Sequence, residues 1–204
     1  DWSSDVCSSD LTSLVEASIK GINCIGTDIN PLARMMTEVK VSHFCVDKIE
    51  KCLLQVQLFS FMFSPEIVKE RDFSRISNYE FWYSENILLR LSYISQMIDS
   101  FDEDVQPFFK IALSEVVREV SYTRNGEFKR FRMSEDKIKK FNPDVFGLFE
   151  SKVRRNLQGL KQFNEKNSNA DVKICDFNSV YGIPDDLLPD NSVDMIVTSP
   201  PYGD

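Results

Sequence analysis

Apolar positions along the chain follow two rhythms: helical spacing through most of the length, and short unbroken runs towards either end. Leu14, Val15, Ala17 and Ile19 give residues 12–20 an apolar helical face, and Gly21 stands where a helix would stop. Residues 22–27 are short and apolar between Gly21 and Asp28, the form of a buried parallel strand. Asn30 then caps a helix with Pro31 in its first position, running through Leu32, Met35, Met36 and Val39. Helical spacing returns over residues 45–61, 84–100, 104–121 and 142–164. Ser84 caps the second of these, Pro107 falls in the tolerant first turn of the third, and Asn142 with Pro143 opens the fourth. Residues 61–75 and 122–133 read as loops, and Phe81-Trp82-Tyr83 suits either a core or the wall of a pocket. Residues 172–175 form the next strand, ending at Asp176. Asp190-Asn191-Ser192 then turns the chain into a last apolar strand that runs to Thr198 and is stopped by two prolines.

This order predicts an α/β protein whose parallel sheet is interrupted by a mostly helical insertion. Residues 11–42 form one half of the sheet domain, 43–168 the insertion and 169–204 the other half. Residues 1–10 stand apart: Ser-Ser-Asp-Val-Cys-Ser-Ser-Asp is near-repetitive, lacks either periodicity and resembles translated adapter sequence. With the chain stopping two residues past Tyr202, truncation at both ends is the expectation.

At 204 residues and 42% apolar content the chain can bury one real core. It has no uninterrupted apolar window of about 18 residues and no basic-then-apolar leader, so neither a membrane span nor secretion is expected. Cys7, Cys24, Cys45, Cys52 and Cys175 are scattered without a C-x-x-C pair, which fits reduced thiols in a cytoplasmic protein. His43 is the only histidine, which excludes a His triad or a multi-His metal site, and no metal is expected. The net charge of −8 argues against nucleic acid on average, but the average hides a pattern. Residues 118–161 carry 12 of the 24 Lys and Arg against six acidic residues, a local excess of the kind that phosphate contacts need. Arg124, Lys129, Arg130 and Arg132 are the candidates, and a solvated basic surface is the competing reading.

Asp28 and Asp176 each close a strand, and in open α/β sheets ligands bind outside the strands' carboxyl ends, where such an acid can accept ribose hydroxyls. The segments Thr12-Ser13-Leu14-Val15-Glu16-Ala17 and Gly21-Ile22-Asn23-Cys24-Ile25-Gly26-Thr27-Asp28-Ile29-Asn30-Pro31-Leu32-Ala33 are followed much later by Ser199-Pro200-Pro201-Tyr202. Taken in that order they resemble the cofactor-binding and catalytic motifs of the DNA amino-methyltransferases, which use S-adenosylmethionine to methylate an exocyclic base nitrogen. The resemblance implies a partial Rossmann-like methyltransferase sheet. It places the cofactor at Thr12, Glu16, Asp28 and Ile29, with Asp176 near the adenine. It gives Ser199 and the Pro200 carbonyl the task of holding the amino group, in a backbone stiffened by Pro201, with Tyr202 as the face on which an extruded base stacks.

A conjugated amino group is a poor nucleophile, so acceptors for its protons and a direct displacement at the sulfonium methyl make chemical sense of these residues. A cytosine-C5 enzyme would need a nucleophilic Cys, usually after Pro, and there is no Pro-Cys here. Ser in the first motif position favours N4-cytosine, with N6-adenine second. DNA is the expected partner, and RNA methylation at guanine-N2 is the alternative. One departure matters: the glycine-rich turn that should precede Thr12 is absent and Leu11 takes its last position, so the chain as written is expected to be inactive. A non-catalytic helical interaction module with a degenerate α/β half is the reading from a different class.

Overall fold

The computed structural model describes residues 12–69, 73, 76–124, 131–166, 169–177, 182, 187–188 and 191–197. They divide into two compact units, one made of residues up to His43 and from Gly159 onward, the other of Phe44–Gln158.

In the first unit, helix α1 (Thr12–Ile19) buries Leu14 and Ser18. It ends in a Schellman motif: Gly21 adopts φ 75°, its N–H donates to the Ser18 carbonyl at 3.0 Å, and the Ile22 N–H donates to the Ala17 carbonyl at 3.0 Å. That second bond explains why strand β1 (Cys24–Thr27) begins two residues later than the apolar run predicts. Ile22 belongs to the helix stop and stays 55% exposed. Asn30 then caps α2 (Pro31–Val41), its side chain accepting from the Leu32 N–H at 3.0 Å, and Pro31 opens the helix as predicted. The buried stripe of α2 is Ala33, Met36, Thr37 and Val39, and the Thr37 hydroxyl donates to the Ala33 carbonyl at 3.0 Å.

Strand β2 (Val172–Cys175) pairs with β1 in parallel: Cys24 with Val172, Ile25 with Lys173, Gly26 with Ile174 and Thr27 with Cys175. Its lower end is fixed by two bonds, Cys24 N–H to the Asp171 carbonyl at 2.9 Å and Asp171 N–H to Asn23 Oδ1 at 2.8 Å. Both strands are half-buried rather than fully buried, because among the described residues each has one strand neighbour.

The predicted strand leading to Thr198 is corrected. Asn191 does turn the chain in the left-handed region, φ 59°, but residues 193–197 join no ladder. Val193, Met195, Ile196 and Val197 are 48%, 77%, 84% and 70% exposed. A buried parallel strand needs a paired edge and covered faces, and the segment pairs with neither described strand. Asp190 and Thr198 lie outside the described residues.

The second unit is helical. Its elements are α3 (Val46–Phe61), a single 3₁₀ turn (Pro65–Ile67), α4 (Tyr79–Trp82), α5 (Glu85–Asp99), α6 (Gln106–Glu119), α7 (Glu135–Ile138) and α8 (Val145–Lys166). Residues of α8 from Gly159 on count with the first unit. Ser84 caps α5 as predicted, accepting from the Ile87 N–H at 3.3 Å. The start of α8 is corrected: Asp144, not Asn142, supplies the cap, its Oδ1 accepting from the Gly147 N–H at 3.0 Å. The Asn142-Pro143 pair lies ahead of the helix, and Asp144 stands three residues before Gly147, the spacing that a capping carboxylate needs. The core is aliphatic and aromatic at helical spacing, with Ile49, Val56, Ile94, Phe108, Phe109, Val116, Phe149 and Val153 essentially inaccessible. The predicted loop over residues 122–133 contains an antiparallel bridge between Thr123 and Arg132, closed by Arg124 N–H to the Phe131 carbonyl at 2.8 Å and Met133 N–H to the Tyr122 carbonyl at 2.7 Å.

Candidate functional site

The turn after α1 reverses the chain, so α1 runs back along β1, with Leu14 over Gly26 and the Leu14 carbonyl 3.8 Å from Cys24 Sγ. The start of α1, the carboxyl end of β1, the start of α2 and the carboxyl end of β2 therefore lie at one edge of the first unit. Gly26 suits that approach: a Cβ built on it would stand 2.4 Å from Leu14 Cδ1, so the Leu14 side chain would have to shift.

The two strand-closing acids are neighbours by register, each one residue beyond the last pair, Thr27 with Cys175. Several bonds fix this corner. The Thr27 hydroxyl donates to the Phe177 carbonyl at 2.7 Å, past the end of β2. Asp28 is half-buried, and its Oδ1 accepts from the Asn30 N–H at 2.8 Å, so the acid and the helix cap form consecutive links of one turn. Such Asx turns hold a backbone that would otherwise be free to pivot. Asp176 is different: its side chain is 81% exposed. Thr12 and Glu16 lie in α1, both exposed, and Ile29 directly follows Asp28 at 76% exposure. Ser199, Pro200, Pro201 and Tyr202 lie outside the described residues.

Sequence reasoning missed Arg34. Its Nη1 donates to the Asp28 carbonyl at 2.6 Å, and its Nη2 lies 4.0 Å from Asp176 Oδ2. One guanidinium thus spans the ends of both strands and sets positive charge beside two acids. A signal for it existed. Arg34 sits in the opening turns of α2, which has no acidic residue in its first turn, and a cation there opposes the helix dipole. A cation in that position calls for a nearby carboxylate. Chemically the corner offers acceptors for hydroxyl or amino donors from Asp28 and Asp176, with Arg34 offsetting their mutual repulsion.

Cys24 and Cys52 are poor nucleophiles. Burial, then the charge of Asp171, pushes the Cys24 thiol up; burial, then Asp102 and Asp104, does the same for Cys52. Both are held as thiols, away from the reactive thiolate. Among the described residues no three His, Cys, Asp or Glu side chains converge as a metal site requires, and no helix is long and apolar enough to cross a membrane.

The basic candidates belong to the second unit. Arg124 is exposed, and Lys129 and Arg130 lie outside the described residues. Arg132 is engaged locally: it pairs with Glu135, its Nε donates to the Phe81 carbonyl at 2.9 Å, and its guanidinium lies 4.4 Å over the Phe81 ring. Much of the remaining basic excess is matched. Lys152 pairs with Glu119 at 2.8 Å, Arg154 with Glu150 at 2.6 Å and Arg155 with Glu115 at 2.6 Å. The aromatic run before them is split: Phe81 is 49% exposed beneath Arg132, while the Tyr83 hydroxyl donates to the Val117 carbonyl at 3.0 Å.

Comparison with known proteins gives two relatives. The chain is 35% identical over 205 residues to the type II methyltransferase M.MvaI of Kocuria varians, covering 95% of this chain and 44% of that protein. It is 21% identical over 223 residues to the type II methyltransferase M.BsoBI of Geobacillus stearothermophilus, covering 94% of this chain and 42% of that protein. The chain therefore spans less than half the length of the curated relatives it matches. No family model matches it, and no solved structure does.

Proposed function

We propose, from the 35% identity to a type II methyltransferase over 95% of the chain, that the chain carries the cofactor-binding corner and the catalytic segment of an S-adenosylmethionine-dependent DNA amino-methyltransferase. In this reading β1 and β2 are two strands of a Rossmann-like sheet, and residues 43–168 are a helical insertion between its halves. The observation that carries the reading is the register that sets Asp28 and Asp176 side by side at one carboxyl edge, at the start of α2.

The donor set suits the cofactor. A half-buried carboxylate steadied by the Asn30 N–H is an acceptor for ribose hydroxyls, and Asp176 on the adjoining strand is an acceptor for the adenine amino group. The bound cofactor supplies an electrophilic methyl on a sulfonium. The chain's own part is to orient the amino group and accept hydrogen bonds from it. Thr12 and Glu16 in α1 flank the same edge, and exposed Ile29 offers an apolar face beside Asp28. Ser199 and the Pro200 carbonyl accept hydrogen bonds from the target amino group, whose surplus proton passes to solvent after methyl transfer, Pro201 stiffens the loop, and Tyr202 stacks on the base. Arg124, Lys129, Arg130 and Arg132 meet the phosphates in a cytoplasmic complex with DNA.

The test is a calorimetric titration with S-adenosylmethionine, followed by mass analysis of nucleosides from DNA treated with a chain of full methyltransferase length carrying this region. Asp28→Ala should weaken binding by about 1–3 kcal/mol, the scale of a charge-assisted hydrogen bond. Tyr202→Ala should remove roughly 1–3 kcal/mol of stacking while Tyr202→Phe stays mild. Ser199→Ala should lower turnover more than cofactor affinity. N4-methylcytosine is the expected product, with N6-methyladenine second; C5-methylcytosine would overturn the mechanism.

A further inference from the structure

We infer that Arg34 is a positioning residue of the cofactor corner, acting through Asp176; the inference rests on the cofactor reading above. Three observations carry it. Arg34 donates to the Asp28 carbonyl at 2.6 Å and lies 4.0 Å from the Asp176 carboxylate, so one side chain ties the turn after β1 to the end of β2. The Arg34 side chain is only 21% exposed, whereas that of Asp176 is 81% exposed. The placement also runs against local stability, since a cation near the start of a helix meets the positive end of its dipole.

An ion pair with one partner so exposed adds little to folding. The ion pair with Asp176 therefore does not act through stability, and its geometry is what sets the place of that carboxylate. Asp28 is held by its own Asx turn, through the Asn30 N–H at 2.8 Å. No hydrogen bond of that kind is seen on the Asp176 carboxylate among the described residues, where Arg34 is its ion-pair partner. Arg34 narrows the range of positions open to the Asp176 carboxylate. Asp28 needs Arg34 less, because its carboxylate is already fixed.

The role predicts a coupling that a purely structural arginine would not show. The probe is methylthioadenosine, which keeps the adenine and ribose of the cofactor and lacks the amino-acid part that the absent glycine turn would contact. Binding is measured by calorimetry on the 204-residue chain and on its R34Q, R34K, D176N and R34Q/D176N variants, each checked for fold by circular dichroism. R34Q should weaken binding about tenfold, as the loss of one charge-assisted contact does. R34Q/D176N should bind no more weakly than D176N alone, and R34K should recover part of the loss by restoring the charge. An R34Q variant that binds like the parent overturns the inference and leaves the cofactor reading standing. So do losses that multiply in the double variant. A parent chain that binds no methylthioadenosine overturns both.

Discussion

Gly26 offers the sharpest test of how the corner is built. An alanine Cβ there would lie 2.4 Å from Leu14 Cδ1, 3.1 Å from its Cγ and 3.3 Å from its Cδ2. Carbon pairs sit comfortably at about 3.5–4.0 Å, so the nearest contact is more than about 1 Å too close by that measure. Turning Cδ1 aside does not clear Cγ, and Leu14 is 7% exposed with little room to retreat. Overpacking of this kind costs roughly 1–3 kcal/mol. Against it stands the reduced freedom of the unfolded chain on replacing Gly by Ala, about 0.4–1 kcal/mol. The net expectation for Gly26→Ala is a loss of roughly 0–2.6 kcal/mol, confined to the first unit. Trp82 belongs to the second unit, so its fluorescence is not the right reporter. Hydrogen exchange at the amides of Cys24–Thr27, beside urea unfolding by circular dichroism, reads the first unit directly. Leu14→Ala removes the clashing atoms, so the double variant should be less destabilised than the two single losses together. A Gly26→Ala protein clearly more stable than the parent would refute the close approach of α1 to β1, and with it the placement of Thr12 at the Asp28 edge.

Asp144→Ala should cost the second unit about 1 kcal/mol through loss of the α8 cap, while Asn142→Ala should cost almost nothing; urea midpoints from Trp82 fluorescence separate the two. Neutralising Arg124, Lys129, Arg130 and Arg132 together should flatten the salt dependence of DNA binding by a chain of full methyltransferase length, and an unchanged slope would make the patch ordinary surface. Burial raises the Cys24 and Cys52 thiols, so their neutral forms contribute stability fully present below the unfolded thiol range, near about 8.5, and lost as pH rises through the higher folded values. Unfolding midpoints measured from neutral pH upward should therefore fall, and alanine at both positions should lessen the fall.

Local signals carried the helices well. Ser84, Asn30 with Pro31, and Gly21 act within one turn of where they stand, and each does in the fold what its chemistry predicts. Competition between neighbouring signals was harder to read. Asn142-Pro143 and Asp144 are all plausible helix starters in a row, and only the relation of Asp144 to the Gly147 N–H selects between them. Ile22 belonged by composition to the strand, yet the Schellman turn needed its N–H. The segment over residues 193–197 shows the limit from the other side. Its apolar run states what it would bury, but a strand exists only where an edge accepts it, and apolarity alone names no partner.

The corner of the site was half legible for the same reason. Asp28 and Asp176 announce themselves, because each is an acid that ends an apolar run. That they are neighbours is a property of the β1–β2 register, which joins residues almost 150 positions apart and leaves no trace in either segment. Arg34 lies between these cases. Its neighbours cannot say which carboxylate it meets, yet its charge was already the wrong sign for the start of α2. A residue that offends its local environment is held there by something distant. Here the distant partner is Asp176, at the end of the strand that a helical stretch separates from β1. On the basic stretch, Arg132 pairs with Glu135, Lys152 with Glu115 and Glu119, Arg154 with Glu150 and Arg155 with Glu115, so part of the local excess is met by acids within the same unit. Local charge is informative where it conflicts with the element that carries it, and much less so where a carboxylate stands three or four residues away.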